Sequence, residues 1–211
     1  MEAFIFIIEM VGTIAFAISG AMTGIEKKMD IFGISILGLT TAVGGGIIRD
    51  LLIGMTPPQT FRNPIYATTA IATAVLIFVL AYYRKLIYNT KLFEMLVFVM
   101  DSLGLGIFTV VGISTTLSNM NQTQPYGRFL LIFVGVVTGV GGGVLRDVMA
   151  GNMPYIFVKH VYACASIAGA IACVYAEPIL GIQNAMILGM MIVVLIRFLS
   201  AYFKWNLPRI K

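Results

Sequence analysis

Charge is scarce in this sequence. Only 11% of its 211 residues are Asp, Glu, Lys or Arg, against about 25% in an ordinary soluble domain. That excludes a disordered chain, which needs high charge and low hydrophobicity, and a conventional water-soluble enzyme. Cysteine is equally rare. Cys164 and Cys173 share one apolar segment, so neither a disulfide framework nor a zinc spacing is present, and both read as small packing residues. The single histidine, His160, has no second ligand nearby and reads as interfacial. The start, Met1-Glu2-Ala3, lacks the basic region of a signal peptide, so the first apolar stretch is expected to be a retained helix. No nucleophile–base pair, metal spacing or phosphate loop appears. No enzyme, cofactor, resident metal or nucleic-acid partner is therefore expected.

What is abundant is apolar sequence, at 59%. A membrane-spanning helix needs about 20 apolar residues. Seven runs qualify: Ala3–Thr23, Ile31–Ile53, Ile65–Tyr83, Leu92–Leu117, Gly127–Ala150, Phe157–Tyr175 and Ile179–Phe203. They do not alternate as barrel strands would. Tyr82, Tyr83, Tyr126, Tyr155, Tyr175, Tyr202 and Trp205 stand near run ends, like an interfacial belt. The fold class is an all-α integral membrane protein with seven transmembrane helices, residues 1–211 forming one domain among membrane lipids.

The net charge of +5 is explained by topology. Lys27, Lys28, Arg84, Lys85, Lys91, Lys159, Lys204, Arg209 and Lys211 fall on one side, and Arg62 and Arg128 on the other. Positive loops stay in the cytoplasm. The expected orientation has the N-terminus outside and the C-terminus inside, in a multi-pass protein of the cell membrane. Arg49, Arg146 and Arg197 lie within spans and do not enter that count.

The chain also repeats itself, a feature best sought early. TAVGGGIIRDLLIGM (Thr41–Met55) matches TGVGGGVLRDVMAGN (Thr138–Asn152) at eight of fifteen positions, 97 residues apart. The match extends to Pro57 with Pro154 and Arg62 with Lys159. Upstream, Glu9-x-x-Gly12-x-x-x-Phe16-x-x-x-Gly20 matches Asp101-x-x-Gly104-x-x-x-Phe108-x-x-x-Gly112 at an offset of 92. Residues 3–83 and 92–175 thus form two three-helix copies, and 179–203 is an extra helix. An odd helix number inverts the second copy in the membrane, the arrangement that puts transport pathways at the midplane.

Gly44, Gly45 and Gly46 interrupt the second run, and Gly141, Gly142 and Gly143 the fifth. Such triplets weaken a helix and permit a kink, so helices 2 and 5 are expected to bend there and free carbonyls for a cation. The competing role is close packing, which Gly20-x-x-x-Gly24 and Gly135-x-x-x-Gly139 suit. Thr41 and Thr138 either add hydroxyl ligands or bond their own helix backbone. Intramembrane charges seek partners. Neighbours on a helix diverge by about 100°, which argues against pairing within Arg49-Asp50 or Arg146-Asp147. Depth instead matches Glu9 with Arg49 and Asp101 with Arg146. Those pairs would leave Asp50 and Asp147 to attract cations near the glycine waist, or the charges form only a structural lock. Arg62 and Lys159 sit at opposite mouths as access residues or interfacial anchors.

The doubled GGG-x-x-Arg-Asp at Gly44–Asp50 and Gly141–Asp147, with Glu9 or Asp101 upstream, resembles the trimeric intracellular cation (TRIC) channels, in their prokaryotic branch. That branch has also been labelled glycine-transporter-like. The resemblance covers essentially the whole chain. It implies a homotrimer with a pore inside each subunit, lined by helices 2 and 5 and passing K⁺ and also Na⁺. The rival reading is a secondary transporter of a small solute such as an amino acid, because inverted repeats serve both.

Overall fold

The computed structural model describes residues 2–84, 90–119, 127–158 and 161–205. Lys159, one of the expected mouth residues, lies outside these, as do His160 and Tyr126. The described elements are α1 (Glu2–Glu26), α2 (Ile31–Leu52), α3 (Gln59–Arg62), α4 (Ile65–Arg84), α5 (Thr90–Ser118), α6 (Arg128–Met149), α7 (Tyr155–Val158) and α8 (Tyr162–Tyr202). Six of these are long and apolar enough to cross a membrane.

The apolar runs become helices because only helices satisfy every backbone group inside lipid. Local signals set their ends. Asp30 caps α2 by accepting from the Gly33 N–H at 2.7 Å. The sixth expected run starts late: α7 is a separate turn, and the long helix begins at Tyr162. With 41 residues, α8 would be about 60 Å long if straight, twice the hydrocarbon thickness. Gly181, at φ 74° and ψ 160°, breaks it three residues after Pro178. The arms on either side fold together: Gly169 lies against Gly189 and Val193, and Gly189 against Cys173.

The packing repeats as the sequence does. α1 lies on α2 and α4, and α5 lies on α6 and α8 in the same way. The halves meet through two self-related contacts, α1 with α5 and α2 with α6. At the first, the Phe16 and Phe108 rings stand 5.2 Å apart. Each ring covers the other half's glycine, Phe16 on Gly104 and Phe108 on Gly12. The repeated Gly-x-x-x-Phe is therefore a reciprocal socket. α5 is the most buried spanning helix. Phe32, Phe61, Phe129 and Ile179 point outward, as a lipid-facing surface requires.

The glycine triplets do not unwind. α2 and α6 remain helical through both triplets. The missing side chains let the two helices touch. A Cβ on Gly45 would strike the Thr138 carbonyl oxygen, and one on Gly142 the Thr41 carbonyl oxygen.

Candidate functional site

The intramembrane charges gather near the C-terminal ends of α2 and α6, on either side of this crossing. In the second half, Asp101, Arg146 and Asp147 are fully buried. Arg146 Nη1 donates to Asp101 Oδ1 at 2.7 Å and to Ser19 Oγ at 2.6 Å. Its Nε donates to Asp147 Oδ1 at 2.9 Å. Arg197, from the second arm of α8, brings Nη2 to 3.5 Å from Asp101 Oδ2, and its Nε donates to Ser102 Oγ at 3.3 Å. Tyr162 donates to Asp101 Oδ1 at 3.4 Å. Aromatic faces close the cluster: Arg146 lies 4.7 Å from the Tyr155 ring centre, and Arg197 lies 4.7 Å from Tyr162 and 4.9 Å from Phe98. Each buried charge meets opposite charge or a π-face, as the low dielectric demands.

The first half is built from corresponding residues but arranged differently. Glu9 makes no ion pair with Arg49; it accepts a hydrogen bond from Tyr66. Arg49 binds its own neighbour, with Nε donating to Asp50 Oδ1 at 2.8 Å and Nη2 also at 2.8 Å. Its Nη1 donates to Thr115 Oγ1 at 3.2 Å. Both expectations for this end are corrected, the Glu9–Arg49 pair and the divergence of Arg49 from Asp50. Arg146 and Asp147 pair in the same manner. The 100° rule describes where side chains start. An arginine has enough reach to curl round to the next residue near the end of a helix.

Asp50 and Asp147 are consequently not free to attract cations. Each gives one oxygen to its arginine and the other to a backbone N–H: Gln59 N donates to Asp50 Oδ2 at 2.7 Å, and Tyr155 N to Asp147 Oδ2 at 2.9 Å. Gln59 and Tyr155 are the first residues of α3 and α7, so each aspartate satisfies an orphan donor at the start of a short helix. This equivalence also re-registers the repeat. Pro58 matches Pro154, Tyr66 matches Tyr162 and Arg62 matches Val158, an offset of 96 produced by one extra residue before α3. Arg62 donates to the Thr56 carbonyl at 2.9 Å and is exposed, bracing its own loop.

Thr41 and Thr138 donate back to Leu37 and Val134 at 2.6 Å each, the helix-backbone alternative. Of the glycines, Gly45, Gly141 and Gly142 form the crossing. Gly44 packs on Leu145, Gly46 faces open space near Arg49, and Gly143 lies by Tyr162 and Asp101. Sequence reasoning missed Tyr66, Tyr162, Ser19, Thr115 and Arg197. An arginine inside the last apolar run was the visible signal for Arg197.

Between Glu9 and Arg49 the first half opens into a small cavity of about 40 Å³. Glu9, Thr13, Arg49, Gln59, Thr60 and Tyr66 supply its polar wall, with Gly46 and Phe108 at its apolar side. Among the described residues no His, Cys, Asp and Glu group could chelate a metal.

Comparison with known proteins agrees with this architecture. The family model described as Glycine transporter matches residues 6–82 and 98–178, one stretch in each repeat. YadS, an inner membrane protein of Escherichia coli, is 35% identical over 202 residues, covering 95% of this chain and 92% of its own. A solved structure concerned with conductance through TRIC cation channels is 35% identical, with a TM-score of 0.82 over 97% of this chain and 96% of that one. The TRIC trimeric intracellular cation channel orthologue from Rhodobacter sphaeroides is 30% identical, with a TM-score of 0.84 over 95% and 98%.

Proposed function

Given that the chain belongs to the glycine-transporter family and shares its fold with prokaryotic TRIC cation channels, we propose that it conducts K⁺, and also Na⁺, through a pathway inside each subunit. The observation that carries this reading is the cavity beside Glu9, open on one face and ending near the Gly45–Gly142 crossing. The crossing is the constriction between two inverted halves. The Asp101–Arg146–Arg197 cluster seals the other half, so this is a closed conformation. Conduction requires α2 and α6 to separate or slide there, and side-chain-free glycine surfaces permit sliding.

In this reading α8 contributes two crossings, its arms on either side of Gly181, which makes seven. The basic loops lie in the cytoplasm with the C-terminus, and the cavity opens to the outside. Three copies assemble, as in the Rhodobacter orthologue. Purified protein in planar bilayers under a KCl gradient should give unitary currents that reverse near the K⁺ equilibrium potential. Saturable, coupled glycine uptake without unitary currents would instead establish a transporter.

A further inference from the structure

The two halves differ by one charge, and the difference falls on the cavity. The second half sets two carboxylates, Asp101 and Asp147, against two guanidiniums, Arg146 and Arg197. The first half sets two carboxylates, Glu9 and Asp50, against Arg49 alone. Two minus two leaves zero; two minus one leaves a carboxylate without a counter-charge. Arg197 belongs to the extra arm of α8, so the first repeat has no equivalent residue. Its guanidinium rests on Asp101 and Tyr162, the counterparts of Glu9 and Tyr66. In the first half those same two residues border open space.

We infer that this space is a monovalent cation site, and that Arg197 is a tethered cation occupying the matching place in the second half. A carboxylate inside a membrane calls for a counter-ion. Arg49 spends its hydrogen bonds on Asp50 and Thr115, so its one charge is shared between two carboxylates. The remaining wall offers hydroxyl and amide oxygens from Thr13, Thr60 and Gln59, hard ligands suited to K⁺ or Na⁺. One uncompensated charge is balanced by one monovalent ion.

The inference rests on the cation-conducting reading but can be tested apart from it. Full-length protein in detergent is melted in KCl and in choline chloride at equal ionic strength, and binding of radiolabelled rubidium is measured by equilibrium dialysis. Wild type should bind one rubidium per chain and melt higher in KCl. Glu9→Gln should lose both the bound ion and the KCl-dependent shift, while keeping the wild-type elution profile in choline. Arg197→Gln should gain a new KCl dependence; if it does not fold, Tyr66→Phe, with weakened rubidium binding, replaces it. Equal rubidium binding by wild type and Glu9→Gln, or none by either, overturns the proposal. Currents without Glu9-dependent binding would refute the site and leave the channel standing. Glu9-dependent binding without currents would do the reverse.

Discussion

Replacing Gly45 by alanine puts one methyl group at the point where α2 and α6 touch. The new carbon would collide with the Thr138 carbonyl oxygen and stand 3.3 Å from the Gly142 nitrogen. Both obstacles are backbone and cannot rotate away. The helices must separate by something on the order of 1 Å to regain ordinary contact distance. Overpacking of this kind costs about 1–3 kcal/mol, while alanine returns roughly 1 kcal/mol of helix propensity. The net effect is a loss of up to about 2 kcal/mol from these two terms. Gly142→Ala should behave alike, since its methyl meets the Thr41 carbonyl. The double variant should cost less than the sum, because the first methyl has already parted the helices. Gly46→Ala is the decisive control. A Cβ there meets only Arg49 Nη2, at 3.9 Å, so the propensity gain stands alone and the protein should melt higher. Thermal unfolding in detergent, followed by loss of the monodisperse peak, reads all four variants. If Gly46→Ala is as damaging as Gly45→Ala, the triplet works by bendability. If Gly45→Ala stabilises, the backbones are not in contact. Either result refutes the packing argument.

Four further outcomes follow from other contacts. Arg146→Ala should abolish recovery of folded protein, since breaking a buried pair costs about 3–5 kcal/mol and this arginine serves two carboxylates. Arg49→Ala, whose side chain serves one carboxylate at a cavity edge, should lower the melting point but leave protein to purify; equal yields would contradict the asymmetry. Gly104→Ala drives a methyl into the Phe16 ring, so it should destabilise the native chain and be largely relieved in a Phe16→Ala background, as a double-mutant cycle measures. Gly181→Ala meets no atom within 4 Å, yet it forces alanine into a conformation tolerated almost only by glycine, at about 1–3 kcal/mol; an unchanged melting point would show that the two arms of α8 do not need this break.

The helices and their inverted duplication were legible because lipid imposes long apolar runs and because the Gly-Arg-Asp blocks recur in order. The reciprocal Phe16–Gly104 and Phe108–Gly12 sockets were legible as a pattern, though not as a contact. The charge partners were harder. Depth arithmetic places Arg146 beside Asp101, where they do meet at 2.7 Å. Applied to the first half, it fails. Depth fixes where an arginine begins, while its long side chain chooses among every acid in reach. Arg49 chooses Asp50 and then Thr115 on α5, leaving Glu9 to Tyr66.

That choice also explains why a motif repeated so faithfully need not do the same work twice. Arg-Asp pairs internally in both copies, and in both the aspartate holds the start of a short helix. The motif is thus the joint between a long helix and the turn that follows it. Function can differ only in what surrounds the joint. Around Arg146 the space is filled by Tyr155, Tyr162 and Arg197; around Arg49 it is left open to Glu9, Gln59 and Tyr66. Of these, Arg197 alone comes from outside the repeat. Without the second arm of α8, each half would hold two carboxylates against one arginine. That arm supplies Arg197, which balances the excess in the second half alone and leaves the two ends of one repeated frame differently charged.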